Sequence, residues 1–278
     1  MIGVVDVGGG ERGAYGAGVF DWCMENGVDF DVCVGVSAGA ANLSSYIAGQ
    51  LGRNFAFYDE YSFRPEYMGA ELAVRTREFV DLDYVFGELS NSGGEYPLDF
   101  PAAMASGKQF IIVATDAQSG LPVYFTLDDM AQDDYAPVKA SSALPVVNKP
   151  YPVHGRPCFD GGLSDPIPVG RALEAGCEKV VLILTRPRDY YRKPDRDMHF
   201  ARLIRPKYPR IADALANRAG LYNMQLDRAK SYEREGKVLI VAPDDIGGMK
   251  TLTKDHELIE QLYAKGLRDA HAISDFLG

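Results

Sequence analysis

At 278 residues, 46% hydrophobic and 24% charged, the chain is long enough for a sizeable core and ordinary for a globular protein. A net charge of −10 argues against a nucleic-acid partner and against simple adsorption to an anionic membrane. No stretch approaches the roughly 20 apolar residues of a membrane span, the start lacks a basic leader signature, and Cys23, Cys33, Cys158 and Cys177 form no Cys-x-x-Cys pair. Reduced, buried thiols and a cytoplasmic protein, at most peripheral at a membrane or micelle surface, are expected.

Ile2–Val7 is short, apolar and β-branched, and reads as the first strand. It runs into Gly8, Gly9, Gly10, Glu11, Arg12 and Gly13, after which Ala14–Asn26 has helical periodicity closed by Gly27. A glycine-rich turn between strand and helix presents backbone N–H groups to an anion. A Walker A loop fails for want of Gly-Lys-Ser/Thr. A nucleotide-binding module fits Gly8, Gly10 and Gly13, with Asp29 or Asp31 near the distance a ribose-binding acid needs. An oxyanion hole is the third reading, and it alone accounts for the next turn.

That turn ends the apolar run Val32, Val34, Val36 and reads Gly35-Val36-Ser37-Ala38-Gly39, followed by small residues. Gly-x-Ser-x-Gly between strand and helix is a nucleophile elbow, which makes Ser37 the candidate nucleophile. Gly35 and Gly39 are then required because a side chain there would strike the neighbouring strand or helix. Asn42–Gln50 continues the helix. Phe55–Met68 is dense in aromatics, and core packing is favoured over a cap lining an acyl-chain pocket. Leu89–Pro97 reads as a loop.

Phe110–Ala114 is a further buried strand, with Val123–Phe125 pairing near it. Asp133–Ser142 reads as a short helix whose Ser141 and Ser142, without flanking glycines, are helix-packing residues beside the site. Cys158–Leu163 carries Asp160 to a strand exit, where Gly161 and Gly162 allow a tight turn. A helix over Val169–Ala175 follows instead of a paired strand. Lys179–Thr185 is a strongly apolar strand. Arg186–Arg210 then holds nine Lys/Arg against three Asp, a local +6 (9 − 3), and reads as a solvated face, with a phosphate headgroup or anionic lipid surface as the alternative. Helices near Asp213–Glu235 and His256–Leu277 flank a last strand, Lys237–Ala242.

Gly-Gly-Gly-x-Arg-Gly at 8–13, Gly-x-Ser-x-Gly at 35–39 and Asp-Gly-Gly at 160–162, in that order, resemble the patatin-like phospholipase family, most closely its bacterial patatin-like branch. The resemblance spans most of the chain. It implies a three-layer α/β/α sandwich around a mostly parallel sheet, and hydrolysis of lipid acyl esters by a Ser37–Asp160 dyad without cofactor or metal. On it, the Gly8–Gly10 turn becomes the oxyanion hole and Arg12 shapes it. Asp6 stands where plant members begin their glycine motif differently and is given no catalytic role. Glu11, whose carboxylate would oppose an oxyanion, is expected to face solvent.

A free Asp titrates near 3.9, too low for a good base at neutral pH, so burial must raise Asp160 and the amide donors must carry much of the acceleration. The rival is a soluble carboxylesterase with a Ser-His-Asp triad, for which chain order admits His199, His256 or His271; none follows a strand end in a recognisable loop. One domain over 1–278 is expected, with a catalytic core over about 1–185 and a C-terminal extension of helices and a strand, 186–278, packed on it.

Overall fold

The computed structural model describes residues 1–278. In chain order the elements are β1 (Ile2–Asp6), α1 (Ala14–Glu25), β2 (Val32–Val36), α2 (Ala38–Ile47), α3 (Arg53–Asp59), α4 (Ala70–Thr76) and α5 (Phe100–Ala105). There follow β3 (Gln109–Asp116), β4 (Pro122–Phe125), α6 (Ala136–Ser142), β5 (Tyr151–Val153), β6 (Arg156–Asp160), α7 (Val169–Glu174) and β7 (Lys179–Ile183). The chain closes with α8 (Asp195–Ile204), α9 (Pro209–Arg234), β8 (Val238–Val241), α10 (His256–Asp269) and α11 (His271–Leu277).

One sheet collects all the strands in the order β5-β6-β3-β2-β1-β7-β8, with β4 paired to β3 off that path. The five strands β3, β2, β1, β7 and β8 run parallel, while β4 and β6 lie antiparallel to β3. Parallel strands covered on both faces bury their central side chains, which explains the apolar runs Val4–Val5, Val32–Val36, Phe110–Ala114 and Val180–Ile183 at the middle of β1, β2, β3 and β7.

Alternate residues feed two cores. Val4, Cys33, Ile112 and Val181 pack with α1, α2 and α10 on one face. Val5, Val34, Ile111 and Leu182 pack with α7 and with Tyr222, Leu226 and Ala229 of α9 on the other. Helices cover both faces, and the architecture is a three-layer α/β/α sandwich around a mostly parallel sheet. No helix is long and apolar enough to cross a membrane.

Candidate active site

Ser37 leaves β2 and opens α2 at φ 57° and ψ −130°, a conformation that L-residues rarely adopt. The turn is held on two sides. The Ser37 N–H donates to the Ser141 hydroxyl at 2.8 Å, and that hydroxyl donates to the Val113 carbonyl at 2.7 Å. Opposite, Gly39 lies so close to β1 that a Cβ would come within 2.2 Å of the Asp6 carbonyl oxygen. Ser141 is thus more than a small packing residue: it ties α6, β3 and the elbow together.

Sheet register brings Asp160 to the same level. Val36 aligns with Val113 on the parallel strand β3, and the next residue, Ala114, aligns with Asp160 on antiparallel β6. The carboxylate therefore reaches the cleft from the opposite chain direction, two strands from Ser37. Its Oδ1 accepts the Gly162 N–H at 2.8 Å, and Thr115 Oγ1 donates to its carbonyl at 2.8 Å. Asp160 is 2% exposed. Burial pushes its carboxyl above the ordinary Asp range, opposed by the Arg218 charge, the Ser37 hydroxyl and the Gly162 amide.

The glycine turn follows β1 directly. Asp6 is fully buried, and its carboxylate accepts the Gly8 N–H at 2.9 Å and Asn42 Nδ2 at 3.0 Å; Asn42 Oδ1 in turn accepts the Tyr58 hydroxyl at 2.9 Å. Burial raises the Asp6 carboxyl to about 6, with Asn42 and Gly8 opposing. The Gly8 amide is thereby committed inward, whereas the Gly9 and Gly10 N–H groups donate to no other group of the chain. Gly10, at φ 61°, lies against the Thr251 carbonyl so tightly that a Cβ would approach it to 2.1 Å. Gly13 stands at the start of α1 beside Tyr58.

Ser37, Asp160, Gly8, Gly9, Gly10, Arg12 and Gly162 line one cleft of about 410 Å³. Gly35 and Gly161 lie beneath it, against Ala40 and the Val113 carbonyl. A second, mostly apolar cavity of about 90 Å³ adjoins at Ser37, Gly10, Leu144 and Leu252 and runs between Phe57, Tyr58, Tyr67, Met68, Leu82 and Phe86. The aromatic stretch after α2 therefore packs in the core, as favoured, and Phe57, Tyr58 and Tyr67 also wall a cavity next to the Ser37 hydroxyl.

Two expectations are corrected. Glu11 does not face solvent: it is 4% exposed and lines the apolar cavity, where burial pushes its carboxyl up to about 8, partly offset by Ser62 and the charge of Lys254. The basic stretch is not merely a solvated face. Arg186, Arg192, Lys193 and Arg196 turn into the cleft beside Arg12, and α8 forms within the stretch. Residues the sequence did not single out, Arg218 and Thr251, close the cleft from α9 and from the loop after β8; Arg218 Nε donates to the Gly162 carbonyl at 2.6 Å.

No histidine lines either cavity. His256 pairs with Asp59 at 2.9 Å and stacks on Phe63, His154 pairs with Asp129, His271 rests on Trp22, and His199 sits against Phe200. Asp29 and Asp31 precede β2 and sit at the sheet edge opposite the glycine turn, since Asp31 Oδ2 accepts the N–H of Ile2 where β1 begins. A ribose-binding acid belongs at the end of that strand, beside the turn.

A strand–turn–helix serine beside a glycine-lined turn, at the carboxyl edge of an α/β/α sheet, defines a serine-elbow α/β protein. A family model described as patatin-like phospholipase matches residues 7–173, and one described as a domain of unknown function (DUF6363) matches residues 208–277. The chain belongs to the patatin-like phospholipase family, a family of lipid acyl hydrolases. Uncharacterized protein YjjU of Escherichia coli (strain K12) is 33% identical over 198 residues, which cover 69% of this chain and 54% of YjjU. The match thus spans about half the length of that curated relative. The crystal structure of VipD from Legionella pneumophila shares the fold, with a TM-score of 0.50 at 14% identity over 98% of this chain and 66% of that one.

Proposed function

We propose that the chain hydrolyses acyl esters of lipids by a Ser37–Asp160 dyad. The observation that carries this reading is the convergence of a strained serine and a buried carboxylate on one cleft that no histidine lines. Ser37 Oγ attacks the ester carbonyl and Asp160 takes its proton, a task for which burial brings the carboxyl nearer the working range of a base. The tetrahedral oxyanion is held by the Gly9 and Gly10 amides, the two donors of the turn left without an internal acceptor. Collapse returns the proton from Asp160 to the departing alcohol, and water then attacks the acyl-serine by the same route. The acyl chain enters the apolar cavity and the alcohol portion stays in the polar cleft, because the two meet at Ser37.

Gly8 serves this site through its bond to Asp6, which aims the turn, and Arg12 through its position behind Gly9. The test is a fluorophosphonate probe with mass mapping of the modified peptide, followed by turnover of micellar acyl esters. Modification of Ser37, lost together with turnover in Ser37→Ala, is the expected result. Modification confined to another serine refutes the assignment.

A further inference from the structure

Ester hydrolysis leaves the positive charge of the cleft without a task. Seven Lys/Arg side chains line it against two carboxylates, Asp160 and Asp197. Asp197 is already held by Arg192 in a two-pronged pair at 2.6 and 2.7 Å. Arg12 is only 6% exposed, donates to the Thr251 hydroxyl at 3.3 Å, and its Nε has no partner. Arg218 spends Nε on the Gly162 carbonyl, and Arg186 rests on the Tyr190 ring at 4.3 Å. Burial lowers the Arg12 guanidinium to about 9, with Arg186 and Arg192 pushing the same way, so the cluster strains against its own charge. Arg12 is buried and Arg186 and Arg218 are half-buried, none of the three holds an ion pair, and such a set aimed into one cavity is a waiting anion site.

We propose that Arg12, Arg186 and Arg218 hold a phosphomonoester headgroup, so that the favoured substrate is an acyl ester bearing a phosphate dianion on its alcohol side. This rests on the hydrolase reading above. Guanidinium forks match phosphate oxygens two at a time, which a chain of lysines does not. A dianion supplies the counter-charge that the cavity lacks. A choline or ethanolamine headgroup carries a cation of its own into the same wall, and a neutral glyceride leaves the arginines unpaired. Arg218 and Tyr222 come from α9, and Lys250 from the loop after β8, which gives the C-terminal segment a role: it builds the headgroup side of the cleft while the N-terminal segment supplies the nucleophile.

The test compares kcat/KM of the full chain for three micellar substrates with one acyl chain: monoacylglycerol, its phosphomonoester and its phosphocholine diester. The phosphomonoester is expected to lead both others by roughly 10-fold or more, and the lead to fall to about threefold or less in Arg186→Gln and Arg218→Gln. It persists in Lys237→Gln, whose exposed charge lies outside the cleft. Because Arg218 also anchors the Gly162 carbonyl, Arg186→Gln carries the test if Arg218→Gln does not fold. Equal kcat/KM for the three substrates, or a lead that survives in Arg186→Gln, overturns the proposal.

Calorimetric titration with inorganic phosphate and with glycerol 3-phosphate separates the sources of the anion. Binding of inorganic phosphate without any substrate preference assigns the arginines to free phosphate and overturns the headgroup. If no ester is turned over and Ser37 resists the fluorophosphonate, the hydrolase reading fails by itself. In that case glycerol 3-phosphate binding that is lost in Arg186→Gln upholds the anion site, and its absence in the unmodified chain overturns it.

Discussion

Replacing Ser141 by alanine removes a hydroxyl that touches no substrate yet bridges two backbone groups, the Ser37 N–H at 2.8 Å and the Val113 carbonyl at 2.7 Å. Ser141 is fully buried, so water does not readily take its place. A buried donor or acceptor left unpaired costs roughly 1–3 kcal/mol, and two of them sharing some relaxation cost about 2–4 kcal/mol. For a chain of this size that lowers the melting temperature by roughly 3–7 °C. The second effect falls on the elbow. A non-glycine residue at φ 57° and ψ −130° stores on the order of 1–3 kcal/mol, and without its tether Ser37 relaxes toward an ordinary turn. At about 1.4 kcal/mol per decade, fluorophosphonate modification of Ser37 slows roughly 5- to 100-fold. The assay pairs a thermal melt with the second-order rate of modification below the melting range. A Ser141→Ala protein that melts within a degree or so of the parent and is modified within twofold of its rate refutes this account of the elbow.

Asp160→Asn keeps an oxygen for the Gly162 amide and so preserves the turn, but lowers ester turnover by roughly 10²–10⁴, whereas His154→Ala, His199→Ala, His256→Ala and His271→Ala each keep most of it; a folded histidine variant without activity restores the triad. Burial raises Asp160, so the acidic limb of kcat/KM falls at a higher pH than a free Asp would give, and a limb at or below about pH 4 contradicts the dyad. Glu11 is raised to about 8 from an ordinary 4.5, so it favours the folded state while protonated and that support is lost as pH rises toward 8. Glu11→Gln therefore raises the melting temperature more at pH 9 than at pH 5, and a pH-independent difference counts against the buried site. Leu144→Trp narrows the junction of the two cavities and lowers kcat/KM for a long-chain ester by about tenfold relative to a butyrate ester; an unchanged ratio removes the apolar cavity from the acyl path.

What could be read in advance followed from how local the constraint was. The parallel strands announce themselves because burial on both faces leaves no polar position in Val32–Val36 or Lys179–Ile183 beyond the first. The elbow and the glycine turn are legible because backbone clearance is set within a few residues of each motif. The direction of β6 is not, since it depends on pairing with β3 some 45 residues away. Helix α8 escapes notice because its inward face, at i, i+4 and i+7, is Asp197, Ala201 and Ile204, and a charged residue breaks the apolar pattern. Asp197 is inside because Arg192 pairs with it, and no periodicity encodes a partner. Glu11 is buried against the sequence pattern for a related reason. Solvent is the default for a carboxylate, and only the tertiary neighbours of the cavity make a protonated, buried side chain the better solution.

The bond between Arg12 and Thr251 spans 239 positions, and the Glu11 N–H reaches the Thr251 carbonyl at 2.9 Å. A growing chain still short of Thr251 holds both the elbow and the glycine turn in sequence, but that turn lacks the hydroxyl and the carbonyl that tie it down. The brace of the glycine turn is therefore among the last parts of the site to be translated, 239 positions after the arginine it holds.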